Sequence, residues 1–324
     1  MSDVARLAGV SAMTVSRALS APEKVDKATL EKVRRAIDST SYVPNLMAGG
    51  LKSRRNHLVA AIVPTLVSPV FNETVQSLTE TFNAAGYQLI LGQGGYGNAR
   101  EDELVNAIIA RRPAGIVLTG VTHADGVRRK LIRSGIPVVE TWDLTPTPID
   151  TLVGFSHEEV ARSVCRFLKA RGRRKLAVIA GDDARARRRT AAFVAVAAEL
   201  GLRAPRVHEV PAPTTLGSGR SGLRSLMARG ADVDGLFCSS DLLALGVLTE
   251  AAAMGVAVPS RLSLVGFGDL SFARDLEPAL TTVRVDGMRI GQEAARCIIA
   301  RAEDEGAPAR LIDVGFTIVE RASA

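Results

Sequence analysis

Along the first 43 residues the apolar positions fall into three short helical groups. Val4, Ala5, Leu7 and Ala8 form one apolar face, Val15, Ala18 and Leu19 a second, and Leu30, Val33 and Ile37 a third. Gly9 permits the turn after the first helix, and Ser11 is placed to cap the second by accepting a bond from a free backbone N–H. Pro22 turns the chain, Asp26 is the candidate cap of the third helix, and Tyr42-Val43-Pro44 closes it. Ser2 stands where the first helix needs a cap. The stretch PNLMAGGLKSRRN that follows is nearly helical but carries Gly49 and Gly50 side by side. Each glycine costs a helix about 1 kcal/mol against alanine, so this linker is expected to be mostly unfolded when free and to fold on binding.

From His57 the texture changes to strand-like apolar runs alternating with helical stretches. HLVAAIVP, YQLILG, AGIVLTG and IPVVETW are separated by predicted helices near 70–86, 99–111 and 125–134. TLVGF, KLAVIAG, GLFCSSD and LSLVGFG follow, with helices near 157–171, 187–200, 219–229 and 241–254. Strands buried on both faces and joined by helices imply parallel sheets. A single eight-stranded barrel is the competing topology, but the Pro-rich LTPTPID at 144–150 breaks the series midway and favours two doubly wound lobes. The expected organisation is an α/β chain: a headpiece at 1–43, a linker at 44–57 and a core at 58–324. The first lobe would take 58–150 plus 286–308, and the second 151–285 plus 309–324.

The 324 residues exceed one ordinary core, in keeping with several domains. No apolar run approaches the roughly 18 residues of a membrane helix, and MSDVARLAGV lacks a signal-peptide layout, so the cytoplasm is the expected location and no membrane partner is expected. Cys165, Cys238 and Cys297 are scattered and read as buried thiols. Neither they nor the four histidines show metal-ligand spacing, and no cofactor is expected. Charge distribution is more informative. Residues 1–57 hold ten basic against five acidic side chains, and so five of the seven net positive charges. Such an asymmetry suits a module that approaches phosphates.

Helix, glycine turn and capped helix is the helix-turn-helix arrangement, whose second helix presents its N-terminal residues to the major groove. A plain three-helix cap with a solvated basic face is the rival that the pattern alone leaves open; the basic linker that follows favours the helix-turn-helix. In the core, ligands of parallel sheets bind outside the carboxyl ends of the strands. The candidates there are Val67, Ser68 and Phe71 after the first strand, His123 after the third, and Ser240 and Asp241 after GLFCS. Packing explains Phe71 and His123 at least as well as recognition does. GQGGYG at 92–97 fits a dinucleotide fingerprint, but the acid wanted about 20 residues onward is missing. An exported solute receptor would share the two lobes yet needs a leader.

DVARLAGVSAMTVSRAL, YVPNLMAGGL and the two-lobed body together resemble the LacI/GalR family of bacterial repressors over essentially the whole chain. VSAMTVSRAL, LTGVTHADGVRRKLIRSGIPVVETWD, VGFSHEEVAR and DVGFTIVE are most similar to its repressors of gluconate utilisation. The resemblance implies a periplasmic-binding-protein-like core, a homodimer on double-stranded operator DNA, and control by a small-molecule effector such as a sugar acid. It places Ala12, Met13 and Arg17 at base edges and Ser11, Thr14 and Ser16 at phosphates. Asn45, Arg54 and Arg55 become linker contacts, and Leu51 a wedge in the minor groove. In the cleft it adds Arg189 as a holder of polar ligand groups and Asp241 as an acceptor from sugar hydroxyls. Neutral-ligand relatives often carry Asp after the aromatic of V-G-[FY]-D, where VGFGD has Gly268; losing that carboxylate would favour an anionic ligand. The absence of a heptad tail favours a dimer over a tetramer.

Overall fold

The computed structural model describes residues 1–42, 57–96, 98–228, 232–304 and 306–324. The chain separates into two compact units, Met1–Asn56 and His57–Ala324. Most of the expected linker, with Asn45, Leu51, Arg54 and Arg55, lies outside the described residues.

The first unit holds α1 (Ser2–Ala8), α2 (Ala12–Ser20) and α3 (Lys27–Thr40). Gly9 adopts φ +66°, a left-handed conformation that favours glycine, and lets the Val10 N–H return to the Ala5 carbonyl. Ser11 Oγ accepts from Thr14 N at 3.1 Å and Asp26 Oδ1 from Thr29 N at 2.9 Å, so both expected caps form. Val4, Ala5, Ala8, Val15, Ala18, Val33 and Ala36 make a small separate core. Two residues depart from the expected inner faces: Leu7 is 60% exposed and Leu19 38%. A helix this short buries only a narrow stripe, and Val4, Ala5 and Ala8 already occupy it. Ser2 is the first residue of α1 and supplies no cap; the preceding position is Met1 and carries no side-chain bond.

The second unit begins with β1 (Leu58–Val63), α4 (Asn72–Ala84), β2 (Gln88–Gln93), α5 (Asn98–Ile109), β3 (Gly115–Thr119), α6 (Asp125–Ser134), β4 (Val138–Thr141) and β5 (Thr151–Gly154). It continues with α7 (His157–Ala170), β6 (Leu176–Gly181), α8 (Ala184–Glu199), β7 (Arg206–Val210), α9 (Leu216–Ala228), β8 (Gly235–Cys238), α10 (Asp241–Ala253) and β9 (Ser263–Phe267). The chain closes with β10 (Thr281–Arg284), α11 (Gly287–Glu303), β11 (Leu311–Asp313) and β12 (Thr317–Val319). One sheet runs β11-β5-β4-β3-β1-β2 and is parallel throughout; the other runs β12-β10-β9-β8-β6-β7, with only the β10–β12 pair antiparallel. These are two open doubly wound sheets, not a barrel.

The lobe boundary is one strand later than the sequence suggests. β5 pairs in parallel with β4, Val139 opposite Thr151, so residues 151–154 belong to the first sheet, and β11 joins them there. Parallel neighbours normally need a crossover of a dozen or more residues, usually helical, so the helix-free 142–150 segment reads as a domain break. Two carboxylates hold it instead, the buried Glu140 and the half-buried Asp150: Ile149 N donates to Glu140 Oε2 at 2.6 Å and Val138 N to Asp150 Oδ2 at 3.3 Å. The chain passes between sheets after β5, β10 and β11. In each sheet the strand order reverses beside the first strand, between β1 and β3 and between β6 and β8, which places the switch points at the carboxyl ends of those strands.

Candidate functional site

On the first unit, Ser11, Ala12, Met13, Ser16 and Arg17 are exposed on α2 while Val15 and Ala18 face inward; Thr14 is half-buried. Met13 is 71% exposed, a large apolar side chain left in water at the start of the helix. Ser11 both caps the helix and bonds the Thr14 hydroxyl at 2.9 Å. Ser11, Ala12, Met13 and Thr14 thus lie at the helix start, beside backbone N–H groups that have no partner within the helix, while Ser16 and Arg17 lie further along it.

In the second unit a cavity of about 520 Å³, open to solvent, lies at the switch points. Ser68 and Phe71 reach it from the β1–α4 connection, Trp142 from the end of β4, His157 from the start of α7, and Asp183, Arg185 and Arg189 from the loop after β6 and α8. Ser239, Ser240 and Phe267 come from the ends of β8 and β9. An adjoining cavity of about 610 Å³ shares Tyr96, Asp183 and Arg185 and extends to Gly94, Gly95, Glu101 and Thr119–Thr122.

Arg189 is 5% exposed, and its burial sets the chemistry. Nη1 donates to His157 Nδ1 at 2.9 Å, Nη2 donates to the Ser239 carbonyl at 3.2 Å, and Cζ stands 4.2 Å from the Phe267 ring centroid. Burial lowers its pKa to about 10, which still leaves it charged at neutral pH. Because an arginine can only donate, His157 Nδ1 is the acceptor and its proton sits on Nε2, 3.0 Å from the Trp142 carbonyl. Burial first, then the charges of Arg189, Arg185 and Arg188, push the His157 pKa well below its ordinary value, so the ring is neutral. Arg185 Cζ lies 5.2 Å from the Phe71 ring, and Phe71 meets Trp142 edge-on at 5.2 Å. Arg189 Nε and Arg185 Nη1 are buried with no hydrogen-bond partner among the described residues. Trp142 has φ +65°, an outlier for so large a residue, and its indole N–H donates to Thr74 Oγ1 at 3.0 Å.

Of the residues expected in the cleft, Ser68, Phe71, Arg189 and Ser240 come together around this cavity. Four do not. Val67 is 66% exposed. His123 is buried behind the wall, Nδ1 2.7 Å from Glu101 Oε1 and Nε2 3.4 Å from Glu140 Oε1. Asp241 is fully buried and structural: Oδ1 accepts from Thr282 Oγ1 at 2.6 Å and Oδ2 from Leu270 N at 2.8 Å, which ties the start of α10 to the turn after β9. Gly268, at φ +129°, stands beside Val70 and Asp241 outside the lining, and a side chain there would be strained; the displaced Asp269 pairs instead with Arg321 at 2.7 Å.

Sequence reasoning missed Arg185, Asp183, His157 and Trp142. One signal was present, the four-residue spacing of Arg185 and Arg189 in RARRRT, which puts both on one helix face. Arg187, on the other face, pairs with Glu209 in solvent, as a solvated-base reading of the whole run would have it.

Residues 1–45 match the family "Bacterial regulatory proteins, lacI family", and residues 165–324 match the "Periplasmic binding protein-like domain". The HTH-type transcriptional regulator GntR of Pseudomonas aeruginosa is 33% identical over 100% of this chain and 95% of its own. The regulator of the same name from Escherichia coli K12 is 30% identical, covering 98% and 96%. The chain belongs to the LacI family. The crystal structure of a LacI-family transcriptional regulator from Silicibacter pomeroyi agrees over 99% of this chain and 98% of that one, with a TM-score of 0.93 at 31% identity.

This LacI-family protein is a DNA-binding transcriptional regulator, and its relatives are regulators too. Within GQGGYG, Gly94 and Gly95 accordingly serve as cleft wall: Gly94 N donates to the Val63 carbonyl at 2.9 Å, and both line the second cavity. No described helix is long and apolar enough to cross a membrane, and no described His, Cys, Asp and Glu group could hold a metal.

His123 yields a prediction about stability. Burial alone would lower its pKa, but hydrogen bonds and charge from Glu101 and Glu140 outweigh it and raise the value from 6.5 to about 9. The folded state therefore holds a proton that the unfolded chain releases, so the stabilisation is complete below pH 6.5 and lost as pH rises through about 9. Denaturant unfolding at stepped pH is expected to show the advantage of the wild type over His123→Gln shrinking by on the order of 3 kcal/mol across that window. A pH-independent difference would contradict the buried imidazolium.

Proposed function

We propose that this regulator represses genes of carbohydrate or sugar-acid catabolism and is released from its operator by a sugar acid such as gluconate bound in the cleft. The observation that carries the reading is the pair of buried guanidinium N–H groups, Arg185 Nη1 and Arg189 Nε, left without partners among the described residues at the cavity. Buried donors of this kind cost free energy unless a ligand satisfies them, and a charged donor is best satisfied by a carboxylate. The likeness of VGFSHEEVAR and DVGFTIVE to gluconate-utilisation repressors points the same way.

On DNA, a homodimer would present two copies of α2 to a near-palindromic operator. Arg17 donates to a guanine, Met13 and Ala12 meet base edges, and Ser11, Thr14 and Ser16 hold phosphates. Asn45, Leu51, Arg54 and Arg55 act from the linker as it becomes helical. Effector binding shifts the balance by its difference in affinity for the two arrangements, usually about 1 to 3 kcal/mol. Arg17→Ala is expected to relax discrimination at one base pair by about 1 to 3 kcal/mol. Anisotropy titrations against operator and random duplex measure this, and equal losses on both would place Arg17 on the phosphates. The effector is tested by calorimetry: binding of aldonates and none of neutral hexoses supports the reading, and the reverse overturns it.

A further inference from the structure

The two cavities share Asp183 and Arg185, yet the charges around them differ in sign. Around the first, Arg185 and Arg189 bring two positive charges against Asp183, and His157 is held neutral by burial and its arginine neighbours. Around the second, the acids outnumber the bases. His123 lies between Glu101 and Glu140, at 2.7 and 3.4 Å. Arg188 lies between Asp143 and Glu158, with Nη1 2.8 Å from Asp143 Oδ2 and Nη2 3.0 Å from Glu158 Oε1. Each cluster has one cation for two carboxylates, so each keeps a residual negative charge; Glu101 and Asp143 also line the cavity. Low dielectric sharpens the contrast where the groups are buried, at His123, Glu140 and Asp143.

We propose that the cleft takes a singly anionic sugar acid in one orientation, with its carboxylate on Arg185 and Arg189 and its hydroxylated tail toward Glu101 and Asp143, and that it rejects a phosphate or a second carboxylate at the tail. This rests on the sugar-acid reading above. The chemistry is asymmetric because hydroxyls donate to carboxylate oxygens, whereas a terminal anion brings only acceptors and like charge. Arg185, at the junction, sets the preference for an acid over a neutral sugar. Its side chain is 13% exposed, Nε lies 3.9 Å from Asp183 Oδ1, and Nη1 has no hydrogen-bond partner among the described residues.

The test is calorimetry of the full-length protein with four probes: D-gluconate, D-gluconate 6-phosphate, D-glucarate and D-glucose. D-Gluconate is expected to bind at least about tenfold more tightly than the two dianions. Arg185→Gln should bring the affinities for D-gluconate and D-glucose together, and Arg185→Lys should recover part of the difference, with circular dichroism confirming that both variants fold. D-Gluconate 6-phosphate or D-glucarate binding as tightly as D-gluconate to the wild type overturns the proposed orientation and leaves the sugar-acid reading standing. If D-glucose binds and none of the three acids does, the sugar-acid reading itself fails.

Discussion

A chain starting at His57 will lose binding to operator DNA altogether and keep its affinity for sugar acids. The proposed function assigns the two activities to separate units, Met1–Asn56 and His57–Ala324, and among the described residues each has its own core. Val4, Val15 and Val33 anchor the small one, whereas the large one is built on two six-stranded sheets. Most of the net positive charge goes with the residues removed, so the steep salt dependence expected of phosphate contacts should vanish with them. Fluorescence anisotropy with labelled operator, followed by calorimetry on the same preparation, measures both halves. Operator binding retained by the truncated chain would mean that the first unit is a cap and that recognition lies elsewhere.

Replacing Arg189 is expected to have the opposite effect: DNA binding kept and effector response lost. Arg189→Gln removes the buried charge and the fork, and affinity for D-gluconate should fall about 100-fold, the equivalent of about two charge-assisted hydrogen bonds of modest strength. The variant also leaves His157 Nδ1 and the Ser239 carbonyl without their donor, so the core should lose about 1 to 3 kcal/mol for each unsatisfied group. Arg189→Lys separates the two effects. It restores the charge but cannot reach His157, Ser239 and a ligand together, so affinity should recover only in part. Calorimetry gives the affinity and thermal unfolding the stability. Undiminished D-gluconate affinity in a folded Arg189→Gln protein would remove the guanidinium from the effector site.

The headpiece was largely legible in the sequence because its signals are local. Gly9, Ser11 and Asp26 act within a few residues of themselves, through a turn or a cap, and a one-dimensional pattern records that. Leu7 was misplaced because apolarity alone does not say which of several apolar residues a one-turn contact will cover. In the core, the buried strands were visible as apolar runs, but β7, with mostly exposed residues, and the three short strands β10, β11 and β12 were not. β5 was visible as a run and assigned to the wrong sheet, since Glu140 and Asp150 hold a helix-free crossover that no periodicity announces.

The cleft was the least legible region, because a site at strand ends gathers residues far apart in sequence. Arg189 was found by likeness to the family, whereas its partner His157 comes from 32 positions earlier and becomes meaningful only through a hydrogen bond. Asp241 and His123 show the reverse problem. Both follow strands, where ligands bind, but one ties down a turn and the other stands between two carboxylates, Glu101 and Glu140.

The most direct measurement is an anisotropy titration of the full-length protein on a genomic fragment that it selects, at moderate ionic strength, with and without D-gluconate. The account predicts tight binding to that fragment over random duplex, and a loss of about 5- to 150-fold in the specific affinity on adding D-gluconate, with random DNA unaffected. A protein that prefers no fragment over random DNA, or whose specific affinity is the same with and without D-gluconate, would contradict it.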